Sequence, residues 1–338
     1  MKLKYSYSAL LFSLLLLAIA CKEETYEVPA TKDALQNDCI KRSVGPNLVG
    51  QQIEFAYAMA LPQSLGKLVS AQVEATIPGA AGTLLENRAF YTNGLGIDVP
   101  VTVGNASVND ANITKVTFSR DTFAVTLRYY YVIPAEAKGQ SVSFTFSATD
   151  SNGTTVSYDM GPYQVSNMDI VLDKPAADNG AMYISVADMA VYTAAQAAAV
   201  PDKIDLVYLY RVVNATVNGV ANTNVFGHSL IAPAADPAYL PGVTLPAGVN
   251  KNTKIIKTIS LFEKQLARLP QYGSYFIDDV DFQKLDITAS SNFAVNIKND
   301  SGLWVETADG QYRAFVYINT SNNATKSITW SMKRYKMF

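Results

Sequence analysis

Apolar and polar residues alternate along most of the chain, and the alternation predicts strands. Residues 51–60 place Ile53, Phe55, Tyr57 and Met59 on one side with Glu54 on the other, the period of two of a half-buried strand. Residues 69–77 repeat it, with Val73, Ala75 and Ile77 opposite Gln72, Glu74 and Thr76. Residues 141–148 set Val142, Phe144 and Phe146 against Ser143, Thr145 and Ser147. Strands are also expected over 115–118, 122–132 and 154–158, the last returning as a hairpin partner after a turn at 150–153. Seven or so short strands over about 120 residues fit an immunoglobulin-like sandwich. The cysteine pair of antibody domains is absent, so the likeness is one of architecture.

The pattern changes after a polar, proline-bearing stretch at 167–180 (Asp173, Lys174, Pro175, Asp178, Asn179), read as a boundary. Residues 203–213 are apolar on both faces, as expected of a central strand covered on two sides. A short strand is expected at 182–186. Two helical turns are expected over 193–200, opened by Thr193 and stopped by Pro201. Four prolines (233, 237, 241 and 246) make 233–246 a loop. Ser260 and Glu263 have the spacing of a capping box, which predicts a helix over 260–269. Strands are expected at 274–280, 282–287, 293–298, 302–306, 312–319 and 326–334, with Asp309 and Gly310 turning one hairpin. The chain is thus read as all-β: an immunoglobulin-like β-sandwich over 45–168, then a larger, jelly-roll-like β-sandwich with short helices over 169–338.

One segment fits neither pattern. Lys2 and Lys4 precede an apolar run over 9–20 broken only by Ser13, the layout of a secretory signal. The run is too short to span a bilayer, which takes about 20 apolar residues. Ala18, Ile19 and Ala20 before Cys21 resemble the lipobox of bacterial lipoproteins, with Ala18 standing where those proteins usually carry leucine. The resemblance implies a signal peptide over 1–20, acylation of Cys21 and a lipid anchor and tether over 21–44. An ordinary Ala-x-Ala cleavage site with Cys21 as a free or paired thiol is the alternative. Lys22, Glu23 and Glu24 resemble the acidic export signal of Bacteroidetes surface lipoproteins, which implies an outer-membrane protein facing the cell exterior.

Without residues 1–20 the chain has 25 basic against 29 acidic residues, so nucleic acid, which is bound through clustered Lys and Arg, is not expected as a partner. The chain has two cysteines and one histidine, which leaves Cys39 as a lone thiol and rules out a zinc site built from His and Cys alone. No cofactor is expected; the composition leaves open a hard, oxygen-ligated ion such as calcium.

The densest carboxylate cluster is Asp278, Asp279 and Asp281. In an extended strand Asp279 and Asp281 share a face about 7 Å apart, compatible with weak calcium ligation or an inverting glycosidase pair. A solvated strand edge or turn is the plainer reading. Trp304 and Trp330 are the only tryptophans. Each is expected in the core more readily than on the surface, but sugar faces stack on exposed aromatics, so Trp304, Glu306 and Trp330 are the ligand-binding candidates, with Trp304 and Glu306, two residues on, the first choice for a glycan contact. His228 lacks a nucleophile elbow nearby and is read as structural. Tyr129, Tyr130 and Tyr131 are read as sheet packing with one ring turned outward.

The runs MYISVADMAVY (from Met182), KIDLVYLYR, YFIDDVDFQKLD, WVETADGQYRAFVYI and GPNLVGQQIEFAYAMALP (from Gly45) resemble a family of gut Bacteroidetes lipoproteins whose function is unassigned. The resemblance carries no catalytic residues. Relatives with such an anchor and tandem β-domains include glycan-binding surface lipoproteins, so it implies a non-catalytic binding module for a polysaccharide or another extracellular ligand. A structural, adhesive or accessory subunit with a surface-protein partner, acting through sheet faces or the proline loop, is the alternative. A hydrolase rests only on Asp279 and Asp281.

Overall fold

The computed structural model describes residues 32–212, 215–217, 220–222, 226–267 and 275–338. Cys21 and the signal and export motifs lie outside the described residues. Leu35–Phe338 form one compact unit, and the fold described is that of this unit.

Its first sandwich begins with β1 (Gln36–Lys41), β2 (Gln52–Ala60), β3 (Leu68–Ala75) and β4 (Leu84–Leu85). A hairpin of β5 (Arg88–Thr92) and β6 (Asp98–Thr102) follows. Then come β7 (Val108–Asp110), β8 (Ile113–Thr117), β9 (Ala124–Val132), β10 (Ser141–Asp150) and β11 (Thr155–Gln164). Two antiparallel sheets, β1-β2-β9-β4 and β11-β10-β3-β8-β7, face each other. The alternation read from the sequence supplies the core: Phe55, Tyr57, Tyr129, Phe144 and Phe146 are buried, with Phe55 4.9 Å from Phe144 and 5.2 Å from Phe146 between ring centres. Truncating such a ring to alanine costs about 3–5 kcal/mol.

β1 lies inside the stretch read as tether. Its pattern buries only Cys39, too little for a periodic signal, and it is held by backbone pairing to β2 and by Asn37 Nδ2 donating to Tyr57 Oη at 3.0 Å. The Cys39 thiol is free and buried, and burial pushes its pKa up to about 12. It stays a protonated apolar filler.

The second sandwich contains β12 (Asp169–Ala177), β13 (Tyr183–Ser185), β14 (Ala190–Tyr192), helix α1 (Ala194–Ala199) and β15 (Leu206–Arg211). A small hairpin of β16 (Ala215–Val217) and β17 (Val220–Asn222) leads to β18 (Gly227–Ile231) and β19 (Lys254–Ile259). Helix α2 (Asp279–Lys284), β20 (Phe293–Ile297), β21 (Ser301–Glu306), β22 (Tyr312–Asn322) and β23 (Ser327–Lys336) complete it. The sheets are β12-β23-β22-β21-β19 and β14-β13-β15-β18-β20. β15 is central, with Leu206, Val207, Tyr208 and Leu209 all buried, as its two apolar faces require. α1 is capped by Thr193 in a box with Gln196. β12 runs through the stretch read as a boundary; Pro175 is accommodated because β12 is an edge strand, where a missing N–H costs no ladder bond.

Two expectations fail between β19 and β20. The described part of 260–269 is a turn, not a helix: Ser260 has φ +60°, and Glu263 turns inward, accepting from the N–H of Gln265 and Leu266 at 2.8 Å. Of the strands expected over 274–280 and 282–287, residue 274 lies outside the described residues, and the rest holds α2 flanked by irregular backbone. Asp278 is its N-cap, accepting from Val280 and Asp281, while Asp281 Oδ2 accepts the Asp278 N–H at 2.9 Å. Period-two apolar spacing survives in so short a helix by coincidence.

Candidate functional site

The residues singled out from the sequence fall into separate places. Trp330 is fully buried between the sheets of the second sandwich, opposite Ile318, so it is a core residue and not a ligand contact. Trp304 lies on the other face of its sheet, half-buried, edge-on to Phe315 at 4.8 Å and to Phe282 of α2 at 5.4 Å. Glu306 shares that face, but its carboxylate takes Arg313 Nε at 2.9 Å and lies 3.6 Å from Lys254 Nζ. Arg313 also donates to the Phe282 carbonyl at 2.6 Å, so α2 is tied down over the surface that a glycan would need.

The aspartates are likewise committed. Asp278 and Asp281 cap α2. Asp279 accepts from the Ser166 hydroxyl and, at 3.3 Å, from the Asn167 N–H, which joins α2 to the segment between the sandwiches. Among the described residues no three His, Cys, Asp or Glu side chains are placed to hold a metal ion. Helical geometry removes the shared strand face on which the pairing of Asp279 with Asp281 depended.

His228 is 4% exposed on β18. Its Nδ1 is 2.7 Å from Tyr208 Oη and its Nε2 is 2.9 Å from Asn323 Oδ1, while Tyr210 packs on the ring at 4.6 Å. The amide oxygen only accepts, so Nε2 carries the proton and Nδ1 accepts from the phenol. Burial holds the imidazole below its ordinary pKa. This is a satisfied structural histidine. Tyr129 and Tyr131 are buried and Tyr130 is half-exposed, as expected of consecutive strand residues.

What the sequence did not bring together is a cleft of about 430 Å³ at one end of the second sandwich, lined by Asn179, Gly180, Met182, Tyr183, Thr193 and Val243 among others. The size is within the usual ligand range of about 300–1,000 Å³. Its floor is Met182 and Tyr183, both largely buried. One wall is the turn at 177–181, in which Asn179 has φ +61° and the Gly180 N–H donates to the Ala177 carbonyl at 3.1 Å. A second wall is Gly242, Val243 and Thr244 of the proline loop, and the third is the start of α1.

Arg211 fastens two of these walls. Its Nε donates to the Pro241 carbonyl at 2.8 Å, and its Nη1 pairs with Asp178, the residue before Asn179. The Asp178 side chain is wholly buried and also accepts the Tyr210 N–H at 3.2 Å. Every side chain lining the cleft is uncharged. Burial raises the Tyr183 phenol above its ordinary pKa, so at neutral pH it stays an uncharged donor and acceptor. The arrangement suits a neutral, hydroxyl-rich ligand: an apolar floor for C–H surface, with amide and hydroxyl groups at the rim. The sequence offered only half the signal, a run of prolines and a short strand lying about sixty residues apart.

Two family models cover the described fold: a domain of unknown function, DUF4466, over residues 32–165, and a second, DUF8576, over residues 166–337. The crystal structure of a DUF4466 family protein from Parabacteroides merdae is similar at 42% identity, with a TM-score of 0.83, over 90% of this chain and 99% of that one. The major pilin subunit BcpA of Bacillus cereus aligns at 10% identity over 58% of each chain, with a TM-score of 0.28, too low to carry an argument. No curated protein matches.

Proposed function

We propose that this chain, which belongs to the DUF4466 family of unassigned function from Bacteroidetes, is a lipid-anchored surface protein that binds a neutral glycan without transforming it. The observation that carries the binding reading is the uncharged cleft braced by Arg211 and Asp178. Preorganised walls lower the ordering cost of binding. The non-catalytic reading is supported by the carboxylates Asp278, Asp279 and Asp281, whose bonding to caps and to the inter-sandwich segment accounts for their clustering. The anchor reading rests on the sequence around Cys21.

Calorimetry against a panel of neutral oligosaccharides tests the cleft. At least one member binds the parent chain. Removing a hydrogen bond with Tyr183→Phe weakens that binding by up to about tenfold, and filling the space with Ala195→Trp abolishes it. Binding that survives Ala195→Trp, or no binding to any member, sinks the proposal. Acyl labelling in the parent cells tests the anchor; label retained after Cys21→Ala removes it.

A further inference from the structure

The hairpin of β5 and β6 buries none of its residues. Two-stranded ribbons are marginal in water without an apolar face to cover, yet this one ends in Leu95 and Ile97, which are 84% and 57% exposed, with Tyr91 at 55% just behind. The tip is ordered by its own bonds. Asn93 Oδ1 accepts the N–H of both Leu95 and Ile97 at 2.9 and 3.0 Å. The Asn93 N–H donates to the Ile97 carbonyl, and the Gly96 N–H to the Asn93 carbonyl, both at 2.9 Å. Four backbone donors in a five-residue turn are thus paired without water, the condition for leaving water behind.

The stem is held as firmly. Asn87 Nδ2 donates to the Gly104 carbonyl at 2.8 Å, and the Arg128 guanidinium stacks on Phe90 at 4.6 Å. Asp98, three residues beyond Leu95, has its carboxylate bonded to the Thr92 hydroxyl at 2.9 Å. At about 3.3 Å per residue it lies near headgroup depth when the tip is submerged by 5–10 Å, the usual depth of an interfacial segment.

We infer that this tip is a membrane-contact element: Leu95 and Ile97 enter the bilayer interface and Tyr91 lies at headgroup level. The inference rests on the proposed acylation of Cys21. Cys21 and Gln36 are fifteen residues apart, a span of at most about 50 Å when extended, so the anchor keeps the first sandwich within reach of the surface. A narrow ribbon ending in two branched aliphatic side chains penetrates lipid, whereas a flat sheet face is what sheet-on-sheet docking would use. The lipid anchor holds the chain at the membrane by itself, and a second contact fixes how the first sandwich is oriented there.

The test uses the full-length acylated protein reconstituted into phosphatidylcholine vesicles whose acyl chains carry bromine. Tryptophan is introduced at the tip by Leu95→Trp and, as a control at the foot of the stem, by Thr102→Trp. The expected result is a blue shift and loss of emission from the tip indole, with the stem indole unchanged. Equal emission from both in protein that floats with the vesicles overturns the inference and leaves the anchor standing. Protein that fails to float overturns both. A dimer in detergent that Leu95→Asp dissociates assigns the tip to a second copy of the chain and overturns the membrane reading.

Discussion

Lys333 and Glu263 are both fully buried and pair at 2.5 Å. The ammonium spends its other donors on Gln265 Oε1 at 2.7 Å and the Ile277 carbonyl at 2.9 Å. Burial drags the Lys333 pKa down and the Glu263 carboxylate holds it up. Removing one partner strands the other charge, so Lys333→Met is expected to cost about 3–5 kcal/mol in urea denaturation, and Lys333→Met with Glu263→Gln distinctly less. Glu263 shows how far single residues are legible. Its spacing from Ser260 fits a helix cap, but that spacing does not report that a lysine seventy residues later needs a counter-ion. His228 yields a pH prediction. Its native pKa lies below the ordinary value of 6.5, so the unfolded chain takes up the proton first as pH falls. Stability is therefore lost below about pH 6.5 until the native pKa is passed. The fall in denaturation midpoint between pH 7.5 and 5.5 is expected to be smaller in His228→Gln; an unchanged difference removes this role.

Elements with several turns of their own period were legible, and those without were not. β2, β3, β9 and β10 match their alternation because each presents four or more residues to one core, and β15 matches its run of apolar residues because it is covered on both faces. β1 and β19 were missed because each buries a single residue, and pairing rather than packing places them. Helix α2 is the instructive error. Six residues give less than two turns, so FIDDVDF reads as well at period two as at 3.6. The true signal was Asp278 with Asp281 three residues on, an acidic variant of the capping box. Asp278→Ala is therefore expected to cost about 1 kcal/mol, within the range of lost N-caps, and to raise amide exchange across 279–284 selectively. Unchanged exchange there would return the segment to a strand-like reading. The same helix covers the first-choice glycan contact, since Trp304 and Glu306 do share a face and α2 packs on it.

At the scale of the whole molecule, the two sandwiches meet across a small apolar cluster: Leu48 and Met168 with Leu266, Ile277, Phe282, Phe315 and Tyr317. Polar bonds surround it, from Ser166 and Asn167 to Asp279, from Gln265 Nε2 to the Pro46 carbonyl at 3.0 Å, and from Asp169 to Lys138 and Arg334. These partners lie up to 219 residues apart, beyond the reach of any local periodicity, which is why the all-β class was legible and the junction was not. Gly45 leaves no room for a side chain beside Phe276. It has φ +86°, and a Cβ there would sit 2.2 Å from the Phe276 ring. Gly45→Ala must both strain the backbone, at about 1–2 kcal/mol, and push Phe276 out of the junction. Both tryptophans belong to the second sandwich, so their fluorescence reports that half alone while circular dichroism reports both. In the parent chain the two urea curves are expected to coincide, because each sandwich completes the other's cover. In Gly45→Ala they are expected to separate, with the tryptophan transition moving to lower urea as the junction opens and Phe282 of α2 loosens on Trp304. Curves already separate in the parent would mean that the junction transmits no stability from one sandwich to the other.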